Sequence, residues 1–291
     1  MPPASDLSPS RPDLDWNRFA PHYLQGLGEI TECLGIDAVS SLGLSAGESL
    51  LDVGCGSGGV VHAASTWGVQ AIGLDASIEM IRAAEAKHPG RSFVHASAYA
   101  LPYADESFDG VSMNFVYVQL REPARALLEL IRVLKRGGRA IFSCWDSPAS
   151  AVPFGLARQA VRTFNPTAEY SASYPTFFAS ENPIFDALHW APCAGLRTSI
   201  IRFAREWQAS SPAKVFDNLA DGAARTRALL EMAGPSANLT DVRERFITLS
   251  QPYHAEATGL VTYPMTACAV QITKDNQPAR DMLLEALKFA S

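Results

Sequence analysis

The run LDVGCGSGGVVHAASTWGVQAIGLD, residues 51–75, constrains the fold more than any other part of the chain. An apolar segment ends around Asp52, glycines follow at alternate positions 54, 56 and 58, and helix-forming residues begin at Gly59. Glycine carries no Cβ, so a strand ending this way can turn sharply and bring its backbone close to a ligand at the carboxyl edge of a sheet. Two readings of that ligand are open. Gly54, Gly56 and Gly59 spell G-x-G-x-x-G, and Asp75 follows at about twenty residues, the spacing of a dinucleotide site with its pyrophosphate on a helix N-terminus. The alternating Gly54, Gly56 and Gly58 behind Asp52 suit another ligand, because a carboxylate at the strand tip repels a pyrophosphate and complements an ammonium or sulfonium centre.

The pattern on either side of this loop alternates strand and helix. Strands are predicted over 49–53, 70–75, 92–96, 108–115 and 139–145, and helices over 59–66, 78–87 and 123–134, the last ended by Lys135, Arg136, Gly137 and Gly138. Repeated units of this length imply a parallel sheet with helices on both faces. Upstream, Trp16, Phe19, Tyr23, Leu27, Ile30 and Leu34 recur every three or four residues, so one or two amphipathic helices precede the first strand. Residues 1–13 hold four prolines and three serines and read as a flexible tail.

After Trp145 the rhythm breaks. A helix is predicted over 152–164, an aromatic-rich stretch over 165–183, a helix over 183–190, a strand over 197–207, helices over 212–232 and 241–254, a last strand over 266–274 and a terminal helix over 279–290. The block 208–258 separates the last two strands where a plain hairpin would suffice, and reads as a lid or substrate wall. The expected organisation is therefore a tail over 1–13, one domain over 14–275 and a C-terminal helix over 276–291. Within the domain, N-terminal helices occupy 14–45, and insertions fall at about 146–183 and 208–258.

A formal net charge of −6 opposes a sequence-independent hold on nucleic acid, which needs a basic surface, and favours small-molecule work. No apolar run reaches transmembrane length and MPPASDLSPSRPD lacks an apolar signal core, so a soluble, cytoplasmic protein is expected. Cysteines at 33, 55, 144, 193 and 268 form no C-x-x-C pair, which fits thiols in a reducing compartment and spells no metal site.

Three tracts carry a family resemblance. FVHASAYALPYADESFDGVSMNFVYVQL, residues 93–120, resembles the LPF-x-D-x-SFD region of class I S-adenosylmethionine (SAM) dependent methyltransferases, in the branch of the quinone and sterol methylating enzymes. LLELIRVLKRGGRAIFS, residues 127–143, is similar to the E-x-x-RVLKPGG helix-turn-strand of the same family, with Arg136 in place of the usual Pro, and LLDVGCGSGG resembles its first motif. The likeness covers roughly residues 16–145 strongly and the rest thinly. No tyrosine is followed by lysine four residues on, so the proton-relay pair of short-chain reductases is missing.

The resemblance implies an α/β, Rossmann-like class I methyltransferase fold: a seven-stranded, mostly parallel sheet, last strand antiparallel, with helices on both faces and a lid or insertion. It implies SAM as cofactor and S-adenosylhomocysteine as product. Gly54, Gly56 and Gly58 would line the methionine part with Asp52 near its amino group, and Asp75 would accept from both ribose hydroxyls. Ala76 and Met80 would flank the adenine, with Ser97 and Ala98 at its edge; Ser97 stands where the family usually has the Asp that accepts from the adenine amino group. Asn114 and Phe115 would abut the methionine chain and sulfonium, and Tyr23 would cover the cofactor from the N-terminal helix.

Methyl transfer by in-line displacement needs no general base, but an acidic acceptor would use one, for which His22 is the first candidate. Tyr117 and Gln119 are candidates for orienting the acceptor. Trp145, Tyr170, Tyr174, Phe177, Phe178 and Trp207 form the expected substrate wall, suited to a planar or prenylated acceptor. The expected reaction is methylation at C, O or N of a small hydrophobic or aromatic metabolite in natural-product biosynthesis, or else of a quinone or lipid. A nicotinamide-dependent reductase and a non-catalytic SAM-binding protein are the rival classes, and a homo-oligomer is only weakly favoured.

Overall fold

A computed structural model describes residues 16–147, 149–168, 196–222, 224–234, 237–255 and 258–275. The expected tail over 1–13, the helices over 183–190 and 279–290, and Tyr170, Tyr174, Phe177 and Phe178 lie outside the described residues.

Helices α1 (Trp16–Leu24) and α2 (Leu27–Ser40) lead into β1 (Ser49–Val53), α3 (Gly59–Thr66), β2 (Gln70–Asp75), α4 (Ile78–Lys87), β3 (Ser92–His95) and β4 (Phe108–Asn114). A 3-10 turn at Tyr117–Gln119, α5 (Pro123–Val133), β5 (Leu134–Trp145) and α6 (Val152–Phe164) follow. Strand β6 (Leu196–Ala209) then gives way to α7 (Pro212–Gly222), α8 (Ala224–Glu231) and α9 (Leu239–Leu249), before β7 (His254–Ala255) and β8 (Leu260–Lys274).

The sheet runs β3-β2-β1-β4-β5-β8-β6, parallel through β5, with β8 antiparallel to both neighbours. It has eight strands rather than the expected seven, because the two-residue β7 pairs with β8 off the main path. Pro252 lies in the 3-10 turn that follows α9, and His254 and Ala255 then pair with Val261 and Leu260. The central strand β1 is buried on both faces, with Leu50, Leu51 and Val53 fully enclosed, as expected for a parallel sheet covered by helices.

Four boundaries depart from the sequence reading, one of them the helix expected over 241–254, which runs Leu239–Leu249 and gives way to the 3-10 turn and β7. Strand β5 starts at Leu134, inside the stretch read as helix end and turn, because the buried Leu134 pairs with Phe108 before the register shifts to Gly110 opposite Arg139. Gly137 takes a φ of 74° within that irregularity, a conformation that favours glycine. The single helix expected over 212–232 is divided into α7 and α8. Gly222 closes α7 where it crosses the α1 backbone so tightly that a Cβ there would lie 3.1 Å from Tyr23 Cα. Strand β8 also begins earlier than expected, running through Pro264, which pairs with Glu206 of β6 beyond the end of the β5 ladder; a missing N–H is tolerated where only one neighbouring strand is bonded.

Helices α6, α7 and α9 bury one apolar cluster with α2 and the distal parts of β6 and β8, built around Phe154, Phe216, Phe246 and Tyr263. The block between β6 and β8 is thus a helical cap, and α1 packs on it. The cap stands at the end of the sheet where the glycine turn leaves β1.

Candidate functional site

Beyond the carboxyl ends of β1, β2 and β4 lies a cavity of about 140 Å³. Its floor is the glycine turn. Gly54 takes a φ of 74° with its N–H bonded to Leu74 O at 2.6 Å, and a Cβ there would meet Val116 Cγ2 at 2.2 Å. Gly56 has a φ of 52°, and an added Cβ would find no atom within 4 Å, so its face is open. Gly54 and Gly56 line the cavity; Gly58 does not, and instead caps α3 against Phe93, which a Cβ would approach to 2.5 Å.

Asp75, at the tip of β2, is held by backbone donors: Gly56 N–H donates to Oδ2 at 3.0 Å and Ser77 N–H to Oδ1 at 2.9 Å. Burial raises its pKa above the ordinary carboxylate value, and these N–H groups and His95 act against that shift. Ser77, not Asp75, caps α4 through a 3.2 Å bond from Met80 N–H. Ala76, Met80, Ser97 and Ala98 line the cavity beyond Asp75.

Asp52 is 2% exposed and does not line the cavity; Val53 does. Its Oδ1 accepts from Ser112 Oγ at 2.6 Å, the two residues being register partners on β1 and β4. Burial pushes Asp52 up to about 7, against the pull of Ser112, with the Asp75 charge adding to the rise and Asn114 opposing it. No lysine or arginine among the described residues forms an ion pair with Asp52 or Asp75.

At the tip of β4, Asn114 and Phe115 reach the cavity as expected. Asn114 Oδ1 accepts from Ser143 Oγ at 2.8 Å, whereas its buried Nδ2 has no hydrogen-bond partner. Phe115 is held at a φ of 59°, a left-handed conformation that costs a non-glycine residue about 1–2 kcal/mol and turns the chain across the strand tip. Trp145 lies 4.5 Å from the Phe115 ring, centroid to centroid, and Phe154 lies 5.2 Å from Trp145. Trp145 and Trp207 are buried in the cap cluster behind Phe115 and do not line the cavity.

From α1, Tyr23 reaches the cavity. Thr31 Oγ1 gives its proton to the Leu27 or Gly28 carbonyl, so the Tyr23 hydroxyl is the donor in the 2.5 Å bond between them. Burial raises the Tyr23 phenol to about 12. His22 is exposed and does not line the cavity, so it is not placed as a base, and Tyr117 is buried in the core with its phenol pKa raised by desolvation, so it is not placed to orient an acceptor. Gln119 does line it. The sequence reading missed Trp16, Val53, Leu74, Tyr99, Val116 and Leu120, which complete the wall.

Residues 51–142 match the family model described as a methyltransferase domain. That match covers about a third of the chain and agrees with the resemblance to class I SAM-dependent methyltransferases read from the sequence. A demethylmenaquinone methyltransferase of Renibacterium salmoninarum is 34% identical to this chain over 110 residues, 38% of the chain and 46% of that protein. A 2-phytyl-1,4-naphtoquinone methyltransferase of Synechocystis sp. is 29% identical over 187 residues, 55% of the chain and 79% of that protein. The match thus spans less than half the length of the first relative. The fold is shared with the YcgJ protein of Bacillus subtilis at a TM-score of 0.52 and 19% identity, over 86% of this chain and all of YcgJ (100%). Among the described residues no helix is long and apolar enough to cross a membrane, and no group of three or more His, Cys, Asp or Glu side chains could hold a metal ion.

Proposed function

We propose that the chain transfers the methyl group of SAM to a C, O or N atom of a small hydrophobic or aromatic metabolite. The observation that carries the cofactor is the pair of buried carboxylates, Asp52 and Asp75, beside an open glycine face and without an ion-paired lysine or arginine among the described residues. Such a site suits a ligand that is cationic near the glycine turn and neutral at its far end, and it penalises a pyrophosphate. The match to a methyltransferase domain and the donor set agree. Asp75 accepts from the ribose hydroxyls, the Gly54–Gly56 turn and the unpaired Asn114 Nδ2 take the methionine part, and Ala76, Met80 and Ala98 form the adenine slot. Asp52 acts through space, from beneath the turn, on the ammonium and sulfonium charges.

The bound cofactor supplies a methyl carbon already attached to a positive sulfur. The chain supplies alignment and exclusion of water, and alignment alone can lower a barrier by about 7–11 kcal/mol. Phe115 and Asn114 stand at the turn between the cofactor end and the cap, and the apolar cap cluster behind them favours a hydrophobic acceptor. The quinone substrates in the relatives' names support the same class and keep a prenylated quinone as the second reading. Natural-product biosynthesis, in the cytoplasm, is the setting that this reading favours.

Two tests follow. Incubation with methyl-labelled SAM and a library of phenols, indoles, quinones and prenylated aromatics is expected to place label on one small molecule, followed by mass spectrometry. SAM binding without transfer to any acceptor would favour a binding protein, and absence of SAM binding would overturn the reading. In the glycine turn, Gly54→Ala is expected to cost about 2–5 kcal/mol of stability, from left-handed strain and overpacking on Val116. Gly56→Ala should cost only about 1–2 kcal/mol but fill the open face, so thermal melts change little while calorimetric SAM affinity falls more than about tenfold. Unchanged affinity would remove Gly56 from the cofactor path.

A further inference from the structure

We infer that the Ser97 corner reads the six-membered edge of the cofactor's purine weakly, so the chain tolerates cofactors altered at the 6-amino group. This rests on the S-adenosyl reading of the cavity. With the ribose diol at Asp75, the base is left the slot between Met80 and Ala98, both apolar and buried. Beside Ala98 the cavity is lined by the polar side chain of Ser97, which is exposed.

What Ser97 can offer is fixed by its neighbours. Tyr99 N–H donates to Ser97 Oγ at 3.2 Å, engaging one of the two lone pairs. Tyr99 is itself tied down, its hydroxyl accepting from Arg121 N–H at 2.9 Å and Glu122 N–H at 3.3 Å, with the Arg125 guanidinium 5.4 Å from its ring centroid. The corner therefore presents one remaining neutral acceptor, whereas a carboxylate in its place would accept about twice as strongly. Asp75 does not substitute, because the lone pairs that Gly56 N–H and Ser77 N–H leave on its carboxylate take the ribose diol in that reading. Removal of the 6-amino group then forfeits a single neutral hydrogen bond at an exposed edge, and a substituent on that group extends past Ser97 into solvent instead of into packed chain.

The test is calorimetric titration of S-adenosylhomocysteine, its 6-deamino counterpart and its N6-benzyl counterpart against the wild-type chain, Ser97→Asp and Ser97→Ala. Both analogues are expected to bind the wild type within about tenfold of the parent. Ser97→Asp is expected to tighten the parent and to widen the gap to the 6-deamino compound at least about tenfold further, and Ser97→Ala to narrow that gap. A wild-type chain that binds the parent yet loses the 6-deamino compound by more than about a hundredfold would overturn the inference while leaving the S-adenosyl reading intact. Failure of the parent itself to bind would overturn both.

Discussion

Asp75→Asn is expected to weaken SAM binding by at least about a hundredfold in a chain that still folds. Both carboxylate oxygens of Asp75 are acceptors in the structure, one for Gly56 N–H and the other for Ser77 N–H. An amide can turn only one oxygen to these donors, so its NH₂ must face an N–H group, and the glycine turn or the α4 entry loses its anchor. The same change removes the charge that would hold the ribose diol. Hydrogen bonds to a charged group contribute about 1.5–3 kcal/mol each, so losing two accounts for at least a hundredfold. The fold should survive because Ser77 caps α4 independently and β2 pairs with β1 from Gln70 to Leu74. Calorimetry with SAM and a thermal melt read the two effects separately. A loss under about tenfold would mean that Asp75 shapes the turn and does not touch the ribose.

Local features of this site were legible in the sequence, and features made by chain crossing were not. The glycine turn, Asp75, Met80, Asn114 and Phe115 come from strand tips whose position follows from short-range pattern, and all but Gly58 of the turn glycines reach the cavity. Asp52 was placed at the ligand because it sits one residue before the strand end. Side-chain alternation instead gives the cavity to Val53 and turns Asp52 toward Ser112. Tyr117 looked available beyond β4, but the 3-10 turn at Tyr117–Gln119 buries its ring and leaves Gln119 at the wall. Trp16 belongs to a helix whose docking depends on contacts remote in sequence: Ser77 Oγ donates to Asn17 Oδ1 at 2.8 Å, and α1 packs on α7. Tyr99, Val116 and Leu120 stand beside residues that the motifs did single out, so their proximity to Ser97 and Phe115 was the one available signal. The two-residue β7 carries no periodicity that could announce an eighth strand.

The second large effect concerns the charge beneath the turn: Asp52→Asn should stabilise the cofactor-free chain at neutral and alkaline pH while weakening its hold on SAM. Burial lifts the Asp52 carboxyl from an ordinary 3.8 to about 7, so the folded chain binds this proton more tightly than the unfolded chain does. Below the ordinary value both states are protonated and the group exacts no penalty. Between that value and about 7 the unfolded chain ionises first, stability falls as pH rises, and above about 7 the penalty is complete. At about 1.4 kcal/mol per pH unit of that interval, the penalty amounts to up to about 4 kcal/mol, which a neutral asparagine accepting from Ser112 avoids. Melts of the variant and the wild type should therefore converge near pH 4 and separate most above pH 7. Binding runs the other way. A cationic ligand favours the ionised carboxylate, so wild-type affinity for SAM should rise through neutral pH with release of up to one proton, measurable by calorimetry in buffers of different ionisation enthalpy. In the variant that proton release should vanish and the affinity above pH 7 fall, because the stability forgone in burying Asp52 is recovered only when a positive ligand arrives to balance it. Coincident melts at pH 8 would show that burial does not raise the Asp52 carboxyl, and the same proton release from both proteins would show that it has no part in holding the cofactor.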